Sequence, residues 1–121
     1  MNSEEIKFRT KKCAADIIRF VDALPKSEST TVIGEKIIRA ATSVAANYSA
    51  ACRARSKATF INKLGTVEAE AFDTLFWLDM LIESGKVSKE NIAGLYEQVD
   101  NVVAIFSASH KLEKDNRYGK P

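Results

Sequence analysis

Apolar and small side chains recur three and four residues apart in four segments of the chain, which is the spacing of one helix face. The first stripe starts at Ile6 and ends at Leu24, directly before Pro25. Because the residue before a proline avoids the α conformation, a helix must stop there. We therefore expect a helix over residues 3–24, with Ser3 as its N-cap.

The other three stripes predict helices over residues 31–53, 56–84 and 88–114. Gly85 is expected to end the third helix in the left-handed conformation, and Ser88 to cap the fourth. Short connections between long helices make neighbours antiparallel. The pattern thus predicts an all-α, up-down-up-down four-helix bundle in a single domain over residues 1–121, with a polar tail from Asp115 that frays.

The third helix is apolar nearly all round in its second half. Five large side chains lie outside its inner stripe, and one small core cannot bury all of them: Phe72, Phe76, Trp77, Met80 and Leu81. A helix with apolar residues on several sides is buried on several sides. We expect Phe72, Phe76, Trp77 and Met80 to form a subunit interface, with Trp77 as an aromatic anchor, and therefore expect a homo-oligomer. The alternative for Trp77 is a partly covered surface side chain with its N–H in water.

The amino-acid composition excludes several classes of protein. The chain has 121 residues, of which 5 are glycine and 2 proline, too few for the many turns of a β-sandwich or β-barrel. Its longest apolar runs fall short of the roughly 20 residues of a membrane span, and its start lacks the apolar segment of a signal peptide. We expect a cytoplasmic protein that does not contact membranes.

The near-neutral net charge of +2 hides an uneven distribution. Residues 1–63 carry 12 basic and 6 acidic side chains, whereas residues 64–121 carry 6 basic and 10 acidic ones. No acidic residue lies between Glu35 and Glu68. The first half of the chain is therefore the candidate surface for a polyanion.

The candidate nucleic-acid site consists of five basic residues: Arg39, Arg53, Arg55, Lys57 and Lys63. Basic side chains neutralise phosphates and release counterions, so such a patch is expected to bind RNA or DNA. The alternative is a solvated face whose charges pair with acidic residues of the same chain or of a neighbouring subunit. A second basic cluster, from Lys7 to Lys12, would strengthen the first interpretation only if it lies on the same rim.

The sequence contains no catalytic signature, and we expect no enzyme, no metal and no cofactor. Cys13 and Cys52 lack the paired spacing of a zinc site and are expected to be reduced packing thiols. His110 is the only histidine and is expected on a flank or at an interface. Glu70 and Asp73 share a helix face but lack the acid–histidine pairs of di-iron bundles, so this face is expected to meet solvent or another subunit.

The stretch RAATSVAANY at residues 39–48 is the most specific motif in the chain. Together with SKATFINKL at 56–64 and LFWL at 75–78, it resembles the bacterial family first noticed as products of intervening sequences in large-subunit ribosomal RNA genes, the 23S rRNA intervening-sequence proteins. The same family includes the accessory variability protein of diversity-generating retroelements. The similarity extends over nearly the whole chain.

The resemblance implies a small four-helix bundle that assembles as a ring-shaped homopentamer. For the retroelement member it implies a positively charged surface that binds nucleic acid and a reverse transcriptase. Arg39, Ser43 and Asn47 match the motif positions of the second helix. The chain departs from the family pattern where Lys36 replaces a usual glutamine, Ser49 a common arginine, and Thr59 and Phe72 common acidic residues.

Overall fold

The computed structural model describes residues 1–117, which form four helices. The helices are α1 (Ser3–Asp22), α2 (Glu28–Ala51), α3 (Lys57–Glu83) and α4 (Ala93–Arg117). None of the described residues lies in a β-strand. The all-α fold class with four helices is therefore confirmed.

The first helix begins at Ser3, as predicted, but its cap is the residue before. The Asn2 side chain accepts a hydrogen bond from the Glu5 amide at 2.8 Å. An asparagine in extended conformation satisfies one of the free N–H groups of the first turn as well as serine would. The helix ends at Asp22, two residues earlier than predicted, and Leu24 is buried in the turn that follows.

The second helix begins three residues before the predicted start. The Ser27 hydroxyl is its N-cap and accepts from the Thr30 amide at 3.1 Å, while the Thr30 hydroxyl donates to the Pro25 carbonyl at 2.9 Å. These polar residues look like turn chemistry in the sequence, but they form the first turn of the helix. The third helix follows the prediction closely, with Ser56 as its cap and Gly85 at φ +80° after its end.

The fourth helix begins at Ala93, and the predicted start at Ser88 is wrong. Ser88 caps a separate turn instead, because its carbonyl and hydroxyl both accept from the Asn91 amide. The first bond of α4 runs from the Tyr96 amide to the Ile92 carbonyl at 2.8 Å. At its other end α4 includes residues 115–117, which the sequence assigned to a frayed tail; the rest of that predicted tail lies outside the described residues.

Each helix packs against two neighbours, in the order α1, α2, α3, α4 and back to α1. The pair α2 and α3 makes the most extensive contact, and the pair α1 and α4 the least. Contacts between helices join residues early in one to residues late in the next, as Lys36 of α2 with Trp77 of α3 and Lys57 of α3 with Glu113 of α4 do. The up-down-up-down arrangement is therefore the one that the short connections predict.

The core lies along the axis between the four helices. Its largest fully buried side chains come from all of them: Ile17, Ile37, Leu64, Leu78, Leu81 and Phe106. The Phe106 ring lies 5.3 Å from the Tyr48 ring, in a tilted aromatic pair at the α2 and α4 faces. This packing leaves the outer faces of the helices for other contacts.

Candidate interaction surfaces

Four of the five residues of the predicted nucleic-acid site come together at one end of the bundle. Arg53 and Arg55 lie in the turn between α2 and α3, Lys57 begins α3, and Lys63 follows within about two turns. Arg39 is exposed on α2 but lies fourteen residues before Arg53, which is about 21 Å along a helix. The structure therefore divides the predicted site into a basic end and an isolated arginine.

The basic end is partly neutralised by the chain itself. The Lys57 ammonium forms an ion pair with the Glu113 carboxylate of α4. The Arg53 guanidinium donates to the Ser49 carbonyl at 3.2 Å, which orients it without cancelling its charge. Arg55 and Lys63 are exposed and form no ion pair within residues 1–117.

The N-terminal basic cluster contributes one residue to this end. Three of its members form ion pairs within α1: Lys7 with Glu4, Arg9 with Glu5, and Lys12 with Asp16. The fourth, Lys11, lines a shallow groove of about 470 Å³ between α1 and α2 together with Arg53. Lys11 therefore extends the basic end along the rim of the bundle.

The outer face of α3 carries an exposed apolar patch. Phe72 is 49% exposed and Phe76 is 53% exposed, and Met80 lies half-buried one turn further on. No lysine or arginine occurs between Lys63 and Lys86 in the sequence. We call Phe72, Phe76 and Met80 the α3 apolar face; large exposed apolar groups of this kind mark interaction sites.

Trp77 belongs to the core as much as to the surface. It is half-buried, packs against core residues, and meets the Phe76 ring edge-on at a centroid distance of 4.9 Å. The Lys36 ammonium of α2 lies 6.0 Å from the centre of its ring. Trp77 therefore lies between the core and the Phe76 ring. Its position outside the inner stripe of α3 does not indicate this packing role.

One of the motif residues of α2 that carry the family resemblance, Asn47, contacts α3. The Asn47 amide donates to both carboxylate oxygens of Glu70, at 2.8 and 3.1 Å. Ser43 is half-buried on the same side, whereas Arg39 faces outward. Asn47 and Glu70 thus link the two most closely packed helices. The sequence pattern predicts Glu70 on a face that meets solvent or another subunit, whereas the structure has it hydrogen-bonded to α2.

His110 and the cysteines serve packing in the described residues. The His110 Nδ1 donates to the Glu68 carboxylate at 2.7 Å, and its ring lies so close to α3 that a Cβ at Gly65 would meet it at 3.2 Å. Burial, followed by the nearby Asp16 charge, raises the pKa of the Cys13 thiol to about 11. Within residues 1–117 no group of three or more potential metal ligands comes together.

A groove between α1 and α4 was missed from the sequence. One pocket along it, about 440 Å³, is lined by Phe8, Val102 and Ile105, and Phe8 is 66% exposed. A second pocket, about 620 Å³, is lined by Phe20 and Leu95, and the hydrogen bond from Gln98 to Asp16 crosses between the helices where the two pockets meet. One residue could have indicated this groove from the sequence: Phe8, a large apolar residue that lies outside the apolar stripe of α1.

These surfaces and the fold define the class of the protein: a four-helix bundle with an exposed basic end and an exposed apolar face. The profile of the 23S rRNA-intervening sequence protein family matches residues 4–108. The chain belongs to this family. No helix within residues 1–117 has the length and apolar character needed to span a membrane.

A solved structure of similar fold comes from Bacteroides thetaiotaomicron VPI-5482 and is described as a protein with unknown function from the S23 ribosomal protein family. It is 27% identical to this chain, with a TM-score of 0.82 over 92% of this chain and 99% of its own. Comparison with curated proteins gives no match.

Proposed function

We propose that the protein is a non-enzymatic, homo-oligomeric scaffold that binds RNA or DNA through its basic end. The observation that carries this proposal is the concentration of Arg53, Arg55, Lys63 and Lys11 at one end of the bundle. Cationic side chains without ion pairs are available to replace the counterions of a phosphate backbone. Such contacts position a nucleic acid without selecting its sequence.

The α3 apolar face supports the homo-oligomeric part of the proposal. Exposed phenylalanines at two successive turns are costly in water and are typical of interface cores. The family resemblance adds the expectation of a pentamer, with five chains of 13.4 kDa each. It also supports a reverse transcriptase as the protein partner, which co-purification with the product of a neighbouring gene would test.

A second candidate function is a structural or protein-binding module that does not bind nucleic acid. The ion pair between Lys57 and Glu113 favours it, because one of the five predicted phosphate contacts is already satisfied within the chain. In this case Arg53 and Arg55 would meet acidic residues of a protein partner.

The deciding experiment is fluorescence anisotropy with labelled RNA and DNA over a series of salt concentrations. The double variant Arg53→Gln/Arg55→Gln should bind all sequences more weakly, and its slope of log K against log salt should be smaller by about 2, one for each lost contact. The double variant Lys26→Gln/Lys86→Gln removes the same charge at the opposite end of the bundle and should bind like the unmodified protein. Absence of binding at low salt, or equal binding by both variants, would overturn nucleic-acid binding and leave the second candidate.

A further inference from the structure

The first pocket between α1 and α4 combines apolar walls with a side-chain amide. The Phe8 ring of α1 and the Val102 and Ile105 side chains of α4 line it, together with Asn101, and its volume is about 440 Å³. Pockets of this volume, with apolar walls and a few polar groups, are the usual form of sites for small organic groups. We call it the Phe8 pocket.

Phe8 offers an aromatic surface that the fold does not use. Its side chain is 66% exposed, and it takes no part in the aromatic pairs of the described residues, which join Tyr48 to Phe106 and Phe76 to Trp77. Nucleobases stack on exposed aromatic side chains irrespective of sequence, because every base has a π-face. Asn101 is exposed in the same pocket, and its amide has both a donor and an acceptor for the edge of a base.

The charges around the Phe8 pocket cancel. Arg9 pairs with Glu5 at 3.6 Å, and Lys12 pairs with Asp16 at 2.8 Å. A phosphate placed here would meet a carboxylate beside each cation. The pocket therefore suits an uncharged planar group such as a base, and the phosphates must find their cations elsewhere.

Those cations lie next to the pocket on the same helix. Lys11 follows Phe8 by three residues, so the two side chains are neighbours on the surface of α1. Lys11 forms no ion pair within residues 1–117, and it lines the neighbouring groove together with Arg53. A basic track beside an aromatic platform is the arrangement by which proteins bind single-stranded nucleic acids. This neighbourhood favours a base over the apolar side chain of a protein partner as the occupant.

We propose that the Phe8 pocket receives one unpaired base of a single-stranded nucleic acid whose phosphates contact Lys11 and Arg53. This inference rests on the proposed binding of RNA or DNA and names the form of nucleic acid that the site takes. A duplex keeps its bases stacked and paired, so it meets the cations of the basic end but leaves the pocket empty.

The variant Phe8→Ala tests the stacking contact. Because Phe8 is mostly exposed, the fold should survive, which circular dichroism checks. In fluorescence anisotropy its affinity for a labelled single strand of thymidines should fall by about 5-fold to 150-fold, the effect of losing one stacked base, with an unchanged slope of log K against log salt. Its affinity for a duplex should stay the same. Lys11→Gln should instead reduce the single-strand slope by about 0.7, because it removes a phosphate contact.

Two control variants separate stacking from a general effect of the substitution. Phe8→Trp keeps an aromatic ring in the pocket and should bind the thymidine strand at least as tightly as the unmodified protein. Val32→Ala removes an exposed apolar side chain from α2 and should bind like the unmodified protein.

An abasic strand of the same length provides a second measurement, since it has the same phosphates but no bases. The unmodified protein should bind it more weakly than the thymidine strand, and Phe8→Ala should cause no further loss. This comparison tests the pocket through the ligand and needs no variant for its first half.

The outcomes distinguish this inference from the proposed function. If Phe8→Ala binds the thymidine strand like the unmodified protein, or loses affinity equally for the abasic strand or the duplex, the pocket does not hold a base. The proposed function would still stand if Arg53→Gln/Arg55→Gln weakened binding in the same assay. If the unmodified protein binds neither strand nor duplex at low salt, the proposed nucleic-acid binding fails and the base pocket fails with it.

Discussion

Asp16 is the most connected carboxylate of the described residues. Its oxygens accept from Lys12 at 2.8 Å, from Arg19 at 2.6 Å and from the Gln98 amide of α4 at 3.0 Å. The hydrogen bond from Lys12, followed by that from Arg19, holds the pKa of Asp16 below its usual value. One side chain therefore links the two helices that pack least closely.

Asp16→Asn should lower the free energy of unfolding at neutral pH by about 1 kcal/mol, because it removes two charged partners and weakens the bond to Gln98. A carboxylate with a depressed folded-state pKa stabilises the fold above its unfolded pKa of 3.8, and this contribution disappears as the pH falls through the folded pKa. The stabilities of the two proteins in urea should therefore differ at neutral pH, begin to approach each other below about pH 3.8, and converge once the pH is below the folded-state pKa of Asp16. A difference that stays constant with pH would show that the charge is irrelevant.

Cys13 should react with iodoacetamide far more slowly than Cys52 in the folded protein. The reactive species is the thiolate, and burial raises the pKa of the Cys13 thiol from its ordinary value of 9.0 to about 11, which lowers its own thiolate fraction about 100-fold. Cys13 is also buried, whereas Cys52 is half-buried. Peptide mass mapping over time should show Cys52 alkylated first, and urea should remove the difference. Equal rates in the folded protein would contradict the burial of Cys13.

At the residue scale, the sequence predicted which residues lie on each surface better than it predicted which residues contact one another across helices. The exposed positions of Phe72 and Phe76 followed from helical spacing, which is a local property. The pairing of Lys57 with Glu113 could not follow, because 56 residues separate them and their contact depends on how α3 and α4 align. The same holds for Lys11, whose place beside Arg53 depends on the packing of α1 against α2.

At the element scale, the close approach of α1 and α2 depends on a missing side chain. A Cβ at Gly34 of α2 would lie 2.7 Å from Cγ1 of Val21, an atom of a stiff, β-branched side chain. Glycine in a helix costs about 1 kcal/mol relative to alanine. The chain tolerates this cost where the two helices meet.

Gly34→Ala should therefore destabilise the protein in its natural background, since overpacking costs about 1–3 kcal/mol and exceeds the gain in helix propensity. In a Val21→Ala background the clash is absent, and the same substitution should stabilise by about 1 kcal/mol. Gly94→Ala in α4 is the matched control, because nothing lies within 4 Å of its Cβ, and it should stabilise in both backgrounds. Thermal unfolding of the variants shows whether each substitution stabilises or destabilises the protein. If Gly34→Ala changes stability in the same direction in both backgrounds, the clash with Val21 is refuted.

Helix boundaries show where local sequence signals compete. Ser56 and Gly85 mark the ends of α3 correctly, because nothing else nearby offers the same hydrogen bonds. By sequence Ser88 is an equally good N-cap, but the helical structure that it caps is only a single turn and does not continue into α4. The Lys89 ammonium, in that turn, lies 4.2 Å from the centre of the Tyr96 ring in the first turn of α4, a contact that the spacing of apolar residues does not show.

At the scale of the whole molecule, the proposed homo-oligomer would couple assembly to folding stability. A partner that binds only the folded chain stabilises it in proportion to the logarithm of its concentration. The midpoint of thermal unfolding should therefore rise with protein concentration. Phe76→Asp, on the α3 apolar face, should remove this dependence while leaving the helical content unchanged, and Val32→Asp, at an exposed apolar residue of α2, should keep it. A midpoint independent of concentration in the unmodified protein would contradict the proposed homo-oligomer.

The unequal packing of the four helices also sets an order of events during folding. The turn between α2 and α3 is short, and these two helices make the most extensive contact, so their hairpin requires little loop entropy to form. The contact of α1 with α4 joins the two ends of the chain and is the least extensive. We expect the α2–α3 hairpin to form early and the α1–α4 seam to close last. Incomplete molecules would then differ from finished ones mainly at this seam, where the apolar inner faces of α1 and α4 are still open to water.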